Sequence, residues 1–178
     1  MATPRTPAEW WADVKRSPKK FEQWLAKQYH GEMTAAPRIR ALASRPDVMP
    51  HEARVLNVIA SQEEAHAQWI AALLKSRELE PKRLAKNERY WNETLSGAED
   101  SFNYLCAVAT HAETMRLERI RVIADDKHAP PDVRATFQKI LKDEEFHAKT
   151  FAELANKQAL SEARGRHEKG MAALGLVI

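Results

Sequence analysis

The chain has a single cysteine, Cys106, which excludes an internal disulfide framework and any four-cysteine metal site. Glycine is scarce, at 5 in 178 residues, whereas Ala, Glu, Lys, Arg and Leu are abundant. That balance favours helix over sheet. No apolar run approaches the roughly 18 residues a membrane span needs, so no membrane association is expected. The opening, Met1 to Pro7, is polar and lacks the apolar segment of a secretory signal, which makes the cytoplasm the expected compartment. A concentrated basic stripe is also missing. The pI is about 9.0, yet the formal net charge is only +3, and the basic residues are scattered apart from a small group at Arg164, Arg166 and Lys169. This pattern reads as solvated helix faces and argues against a nucleic-acid partner.

What is present divides cleanly at Pro and Gly. The length suits one domain with a sizeable core. A Trp-rich opening, Pro7 to Lys15, carries Trp10 and Trp11 and predicts a helical turn or two. Ser17-Pro18 reads as an N-cap with Pro at the first helical position, starting a helix to about Ser44. Pro37 lies inside it, where it removes the bond to the carbonyl of Met33 and is expected to kink or bulge the chain. Arg45-Pro46-Asp47 ends that helix, and a second runs from about Pro50 to Arg77. Glu78 to Ala98 reads as a long connection with a short helix from Lys82 to Trp91. The third long helix is predicted from Ala98 to Asp125 and the fourth from Pro131 to Ala159, with a turn at His128 to Pro131. The division is thus a Trp-rich extension (1–17), a four-helix bundle (18–160) and a charged tail (161–178) that ends in an apolar segment from Leu174 to Ile178.

The two predicted hairpins are copies of each other. Displacing the sequence by 81 residues aligns positions 30–67 with 111–148 without a gap, giving 12 identities in 38 positions. Chance would give about two or three at typical residue frequencies. The clearest block sets Glu63-Glu64-Ala65-His66-Ala67 against Glu144-Glu145-Phe146-His147-Ala148, and upstream of it Glu32 aligns with Glu113. Residues at i and i+3 share a helix face, so Glu63 with His66, and Glu144 with His147, can each present an oxygen and a nitrogen to one site. Glu32 lies 31 residues before Glu63, and Glu113 lies 31 before Glu144. Both midpoints fall in predicted turns, so each antiparallel hairpin brings its lone glutamate level with its Glu-x-x-His. Four carboxylates converging in an apolar interior would repel one another unless protonated or bound to cations. Two divalent ions balance them, and oxygen ligands with one imidazole per metal suit iron or manganese, with zinc also possible.

The pattern Glu, Glu-x-x-His, Glu, Glu-x-x-His on four successive helices resembles the ferritin-like di-iron carboxylate superfamily, and in particular its rubrerythrin branch, over about Phe21 to Leu160. The resemblance implies an all-α ferritin-like four-helix bundle of two duplicated αα-hairpins joined by a long crossover. It implies two iron ions, or manganese in place of one or both. Glu32 and Glu113 would be terminal ligands, Glu63 and Glu144 bridges that also shift during catalysis, and His66 and His147 caps of one metal each. It further implies redox activity toward O2 or hydrogen peroxide, as in rubrerythrin-like oxidases and peroxidases. The chain departs from that pattern at one point. The family carries an extra glutamate one turn from the third-helix ligand, whereas Thr110 and Arg116 flank Glu113 three residues either side. It also lacks a four-cysteine rubredoxin module, so an external electron-donor protein is expected. Ferroxidase activity, oxygenation of an organic substrate and a non-catalytic interaction module are the alternatives, and a homodimer or larger homo-oligomer is the expected assembly. Glu64, Glu145, His30, His111, Arg38 and Arg119 point away from the ligand face and read as surface or supporting groups. Tyr29, Tyr104 and Cys106 read as core.

Overall fold

The computed structural model describes residues 6–85, 89–95 and 101–174. Its helices are α1 (Pro7–Arg16), α2 (Pro18–Ala43), α3 (Pro50–Lys75), α4 (Arg89–Leu95), α5 (Phe102–Asp125), α6 (Pro131–Leu154) and α7 (Lys157–Ala173). No strand occurs among the described residues, and no helix among them is long and apolar enough to cross a membrane. The fold is an all-α, ferritin-like bundle. α2 pairs with α3, α5 pairs with α6, and the two hairpins meet along α3 and α6.

Helix starts follow local chemistry. Pro occupies the first turn of α1, α2, α3 and α6, where its missing N–H costs nothing. Thr6 and Glu9 form a capping box on α1, with Glu9 N–H donating to Thr6 Oγ1 at 3.2 Å. Ser17 caps α2 and Ser101 caps α5. The core-facing positions of the four long helices recur every seven residues. Leu25, Glu32 and Ile39 form such a line on α2, and Leu56, Glu63 and Ile70 form one on α3. Cys106, Glu113 and Ile120 do so on α5, as do Phe137, Glu144 and Phe151 on α6. A polar residue therefore replaces an apolar one at a single level of each seam. Above and below that level lie two apolar clusters, one around Trp24, Leu25, Ile70, Ile120 and Phe137, the other around Ile39, Leu56, Ile59, Cys106 and Phe151.

Several bounds differ from the expectation. The third long helix begins at Phe102, not Ala98, because Ser101 supplies the cap; 96–100 lie outside the described residues. The short helix of the crossover is Arg89–Leu95 rather than Lys82 to Trp91. Residues 81–85 are not helical, and 86–88 lie outside the described residues. The fourth helix stops at Leu154 instead of Ala159, since Asn156 turns the chain and caps a new helix by accepting from Ala159 N–H at 2.8 Å. Most of the segment read as a charged tail is this helix, α7, whose small face of Ala159, Ala163 and Gly170 packs on α5 and α4. Residues 175–178 of the apolar terminus lie outside the described residues.

Pro37 leaves α2 unbroken from Pro18 to Ala43. The carbonyl of Met33 that Pro37 cannot bond accepts instead from Arg83 of the crossover, at 3.1 Å. One residue on, Leu84 N–H donates to His30 Nδ1 at 3.2 Å, so the crossover is fastened to α2 at two adjacent points. His30 is buried as a result, at 6% exposure, and is not the surface group its position on the helix suggested. At the other end, Trp11 Nε1 donates to Asp126 at 2.8 Å and Lys15 pairs with the same carboxylate, which ties α1 to the α5–α6 turn.

Gly170 allows α7 to approach α4 closely. A Cβ there would lie 2.7 Å from Tyr90 Cδ2 and 3.1 Å from Thr94 Cγ2. Tyr90 is buried and its hydroxyl is bonded to His167 at 2.8 Å, so the ring has little freedom to retreat. Gly170→Ala is expected to cost about 1–3 kcal/mol and to raise hydrogen exchange in α4 and α7 while leaving α3 and α6 protected. Unchanged exchange in α4 would show that the Tyr90 ring yields.

Candidate metal centre

The four seams deliver Glu32, Glu63, His66, Glu113, Glu144 and His147 to one layer between the apolar clusters. Glu32, Glu63, His66, Glu144 and His147 are fully buried, and Glu113 is partly exposed. His66 Nδ1 lies 3.5 Å from Glu32 Oε2, 3.7 Å from Glu144 Oε1 and 4.0 Å from Glu63 Oε2. His147 Nδ1 lies 3.2 Å from Glu63 Oε1 and 3.7 Å from Glu144 Oε2. One ligand atom from each of Glu32, Glu63, His66 and Glu144 falls within 4.8 Å of all the others. Glu113 and His147 stand outside that group; Glu113 sits beside Glu144, with which it interacts.

Both imidazoles are oriented from behind. Asp143 Oδ2 contacts His66 Nε2 at 3.0 Å, and a carboxylate can only accept, so this nitrogen carries the hydrogen. Gln62 Nε2 donates to the other oxygen of Asp143 at 2.9 Å. That sets the amide so that Gln62 Oε1 faces His147 Nε2, at 3.0 Å, and accepts from it. Each Nδ1 is then the ring atom turned into the layer, able to offer a lone pair to a cation once it carries no hydrogen, the arrangement of a metal-binding histidine held by an outer partner. Neither residue was singled out from the sequence, although the 81-residue displacement that pairs Glu63 with Glu144 also pairs Gln62 with Asp143.

A third residue missed from sequence is Arg116, noted there only as a departure from the family pattern. It follows Glu113 by one turn on α5. Its guanidinium pairs with Glu32 Oε1 and lies 3.1 Å from Glu144 Oε1 and 3.7 Å from Glu63 Oε2. One such charge cannot satisfy four carboxylates. Burial pushes the Glu63 carboxyl up to about 8, helped by the charges of Glu32 and Glu144. Burial likewise raises Glu113 well above the usual carboxylate range, with Glu144 and Glu63 adding to it, and raises Glu32 against the pull of Arg116. Burial disfavours the charged form of His147 too, but Glu144 and Glu63 outweigh it and bring its pKa to about 10.

The remaining sequence candidates sit elsewhere. Glu64 and Glu145 make exposed pairs with Arg40 at 2.8 Å and Arg121 at 3.1 Å. Arg38 lies over the Trp91 ring and Arg119 over Trp10. His111 contacts the Leu160 carbonyl at 3.1 Å and stacks on His167, which ties α5 to α7. Tyr104 donates to the Thr94 carbonyl, and Tyr29 packs on the cluster around Trp24. Burial pushes the Cys106 thiol up to about 12, as expected of a packed rather than reactive cysteine.

The donor set fits divalent metal. Eight buried side-chain atoms of the six residues lack a hydrogen-bond partner: Glu32 Oε2, both oxygens of Glu63 and of Glu144, Glu113 Oε2, and the Nδ1 atoms of His66 and His147. So many orphaned acceptors in one place are costly unless a cation meets them. A family model described as rubrerythrin matches residues 23–155. No curated protein and no solved structure matches the chain.

At pH 7 the metal-free centre holds protons on Glu63, Glu113 and His147, whose pKa values are raised, and divalent ions must expel them. Apparent affinity should therefore rise with pH through about 8 and on toward 10, and calorimetric heats at pH 7 should differ between buffers of different ionisation enthalpy. Equal heats in all buffers would contradict it. Asp143→Ala removes the acceptor behind His66 and should weaken metal binding by about 10–100-fold, measured by competition with a chelator of known affinity.

Proposed function

This chain belongs to the rubrerythrin family, and on that premise we propose that it is a di-iron oxidoreductase that reduces hydrogen peroxide or O2, in a cytoplasmic setting. The observation that carries the proposal is that six residues direct eight buried atoms without a hydrogen-bond partner into one layer. Glu32, Glu63, Glu144 and His66 would hold one ion, and Glu113, Glu144, Glu63 and His147 the other, with Glu63 and Glu144 shared. Two ferrous ions bound there would supply the two electrons that turn hydrogen peroxide and two protons into two waters.

The protein's own contribution is positional and protic. Glu63 and Glu144 each present two buried oxygens to the layer, held there by the charges of Arg116 and His147 rather than by hydrogen bonds to the bundle's backbone, so bound cations could replace those contacts. The Asp143 and Gln62 contacts keep both rings from turning. The apolar clusters above and below keep water from those two sides of the layer and so strengthen the charge interactions among the fully buried Glu32, Glu63 and Glu144. Electrons would come from a separate donor protein, and the assembly would be a homodimer or larger homo-oligomer.

One observation favours a second reading, oxygenation of an apolar organic substrate. A cavity of about 600 Å³ lies between α2 and α5 and reaches Glu113 and Arg116. Its walls include Ile39, Leu42, Val108, Met115, Ile120 and Phe151. That volume is within the range of small-molecule sites.

Anaerobic loading with Fe(II) followed by stopped-flow mixing separates the two readings. The peroxidase reading expects oxidation of the iron faster with peroxide than with O2, without need of an organic compound. Oxidation by O2 that accelerates only when an apolar compound is present would move the assignment to the oxygenase. Glu63→Ala combined with Glu144→Ala should abolish metal retention through gel filtration; retained metal would overturn both readings.

A further inference from the structure

Arg116 occupies a position that the duplication leaves uncharged, since its counterpart in the first hairpin is Ala35. From α5 its guanidinium reaches Glu32, Glu144 and Glu63. Those three residues, with His66, are also the group whose ligand atoms converge within 4.8 Å. The guanidinium thus contacts three of the four donors of that half; Glu63 and Glu144 are shared with the other half, and the pairing with Glu32 is what sets the two apart. Glu113 and His147, on the other half, are absent from its ion pairs.

Building on the two-metal reading, we infer that Arg116 is a resident cation of the His66 half, so that the two divalent ions bind unequally and in order. The first enters at Glu63, Glu113, Glu144 and His147 with Arg116 in place. The second enters at Glu32 and His66 only when the guanidinium withdraws. The charges dictate this. Four carboxylates with one guanidinium and one divalent ion leave a single negative charge, whereas retaining Arg116 beside two divalent ions would leave a buried positive one. A guanidinium cannot relieve this by losing its proton, so it has to move. The cavity between α2 and α5 offers the space: Arg116 lines it, and so does Gly31, where even an added Cβ would meet nothing within 4 Å.

The test is titration of the full-length chain with Co(II), followed by calorimetry and visible absorption, on the wild type, Arg116→Gln and Arg116→Lys. The wild type is expected to bind one ion tightly and a second on the order of 100-fold more weakly or worse, given a unit charge a few ångströms from the second ion. Arg116→Gln should close that gap by strengthening the second step. Arg116→Lys keeps a cation and guards against loss of the fold in the neutral variant; since an ammonium, unlike a guanidinium, can give up its proton, it should narrow the gap less than Arg116→Gln does. Two equal sites in the wild type would overturn the inference and leave the two-metal reading intact. A gap that persists in Arg116→Gln, or that vanishes in Arg116→Lys, would overturn it as well. No Co(II) uptake by any of the three would overturn the two-metal reading, and this inference with it.

Discussion

Four glutamates placed in the interior of an apolar bundle are the constraint to which the rest of this structure answers. An ionised carboxylate taken out of water costs several kcal/mol even after relaxation, and like charges at close range add to it. Three responses are visible. Arg116 brings a permanent positive charge into the layer, burial and mutual repulsion keep protons on Glu63 and Glu113, and two imidazoles lie against the carboxylates. None satisfies all the oxygens. The bundle tolerates the deficit because the polar layer is one level thick, with apolar clusters on both sides that pack independently of it.

Much of this was legible from residue types and spacing. The six donors announce themselves because a duplicated Glu-x-x-His has few bland explanations, and equal hairpin arms put Glu32 and Glu113 in register whatever the details of packing. The seven-residue seams explain why: each donor stands where a core leucine or isoleucine would, so the rule that buries one buries the other. What stayed hidden depends on contacts between elements far apart in the chain. Arg116, three residues from Glu113, reads only as a break in the family pattern until α2 and α5 are set side by side. His30 reads as a surface group until the crossover is laid over it. The end of α6 was misplaced because helix-forming residues continue on both sides of Asn156, and only its capping bond marks the break.

The two hairpins have diverged where they serve different neighbours. α2 carries Pro37, and the carbonyl it frees becomes the acceptor for Arg83, which anchors the connection between the halves. At the aligned position α5 carries Glu118 and has no such opening. In its place His111 and a small-residue face receive α7. The first copy thus holds the crossover and the second holds the C-terminal helix, while each inward face keeps the same three residues, two glutamates and a histidine.

The hydrogen bonds of the string His147, Gln62, Asp143, His66 converge from both ends on the Asp143 carboxylate, and that polarity bears on how an exact repeat could have worked. With aspartate in both copies, two carboxylates would face each other across the seam with no hydrogen to share. With glutamine in both, an NH2 group would confront His66 Nε2 and force the hydrogen of that ring onto Nδ1, the atom needed as a donor to metal. One acid and one amide let both rings present a lone pair inward at once. A protein built from two identical hairpins would have had one ring in the wrong tautomer or an extra proton trapped between acids. The single mismatch at positions 62 and 143 is the smallest break in symmetry that removes both faults.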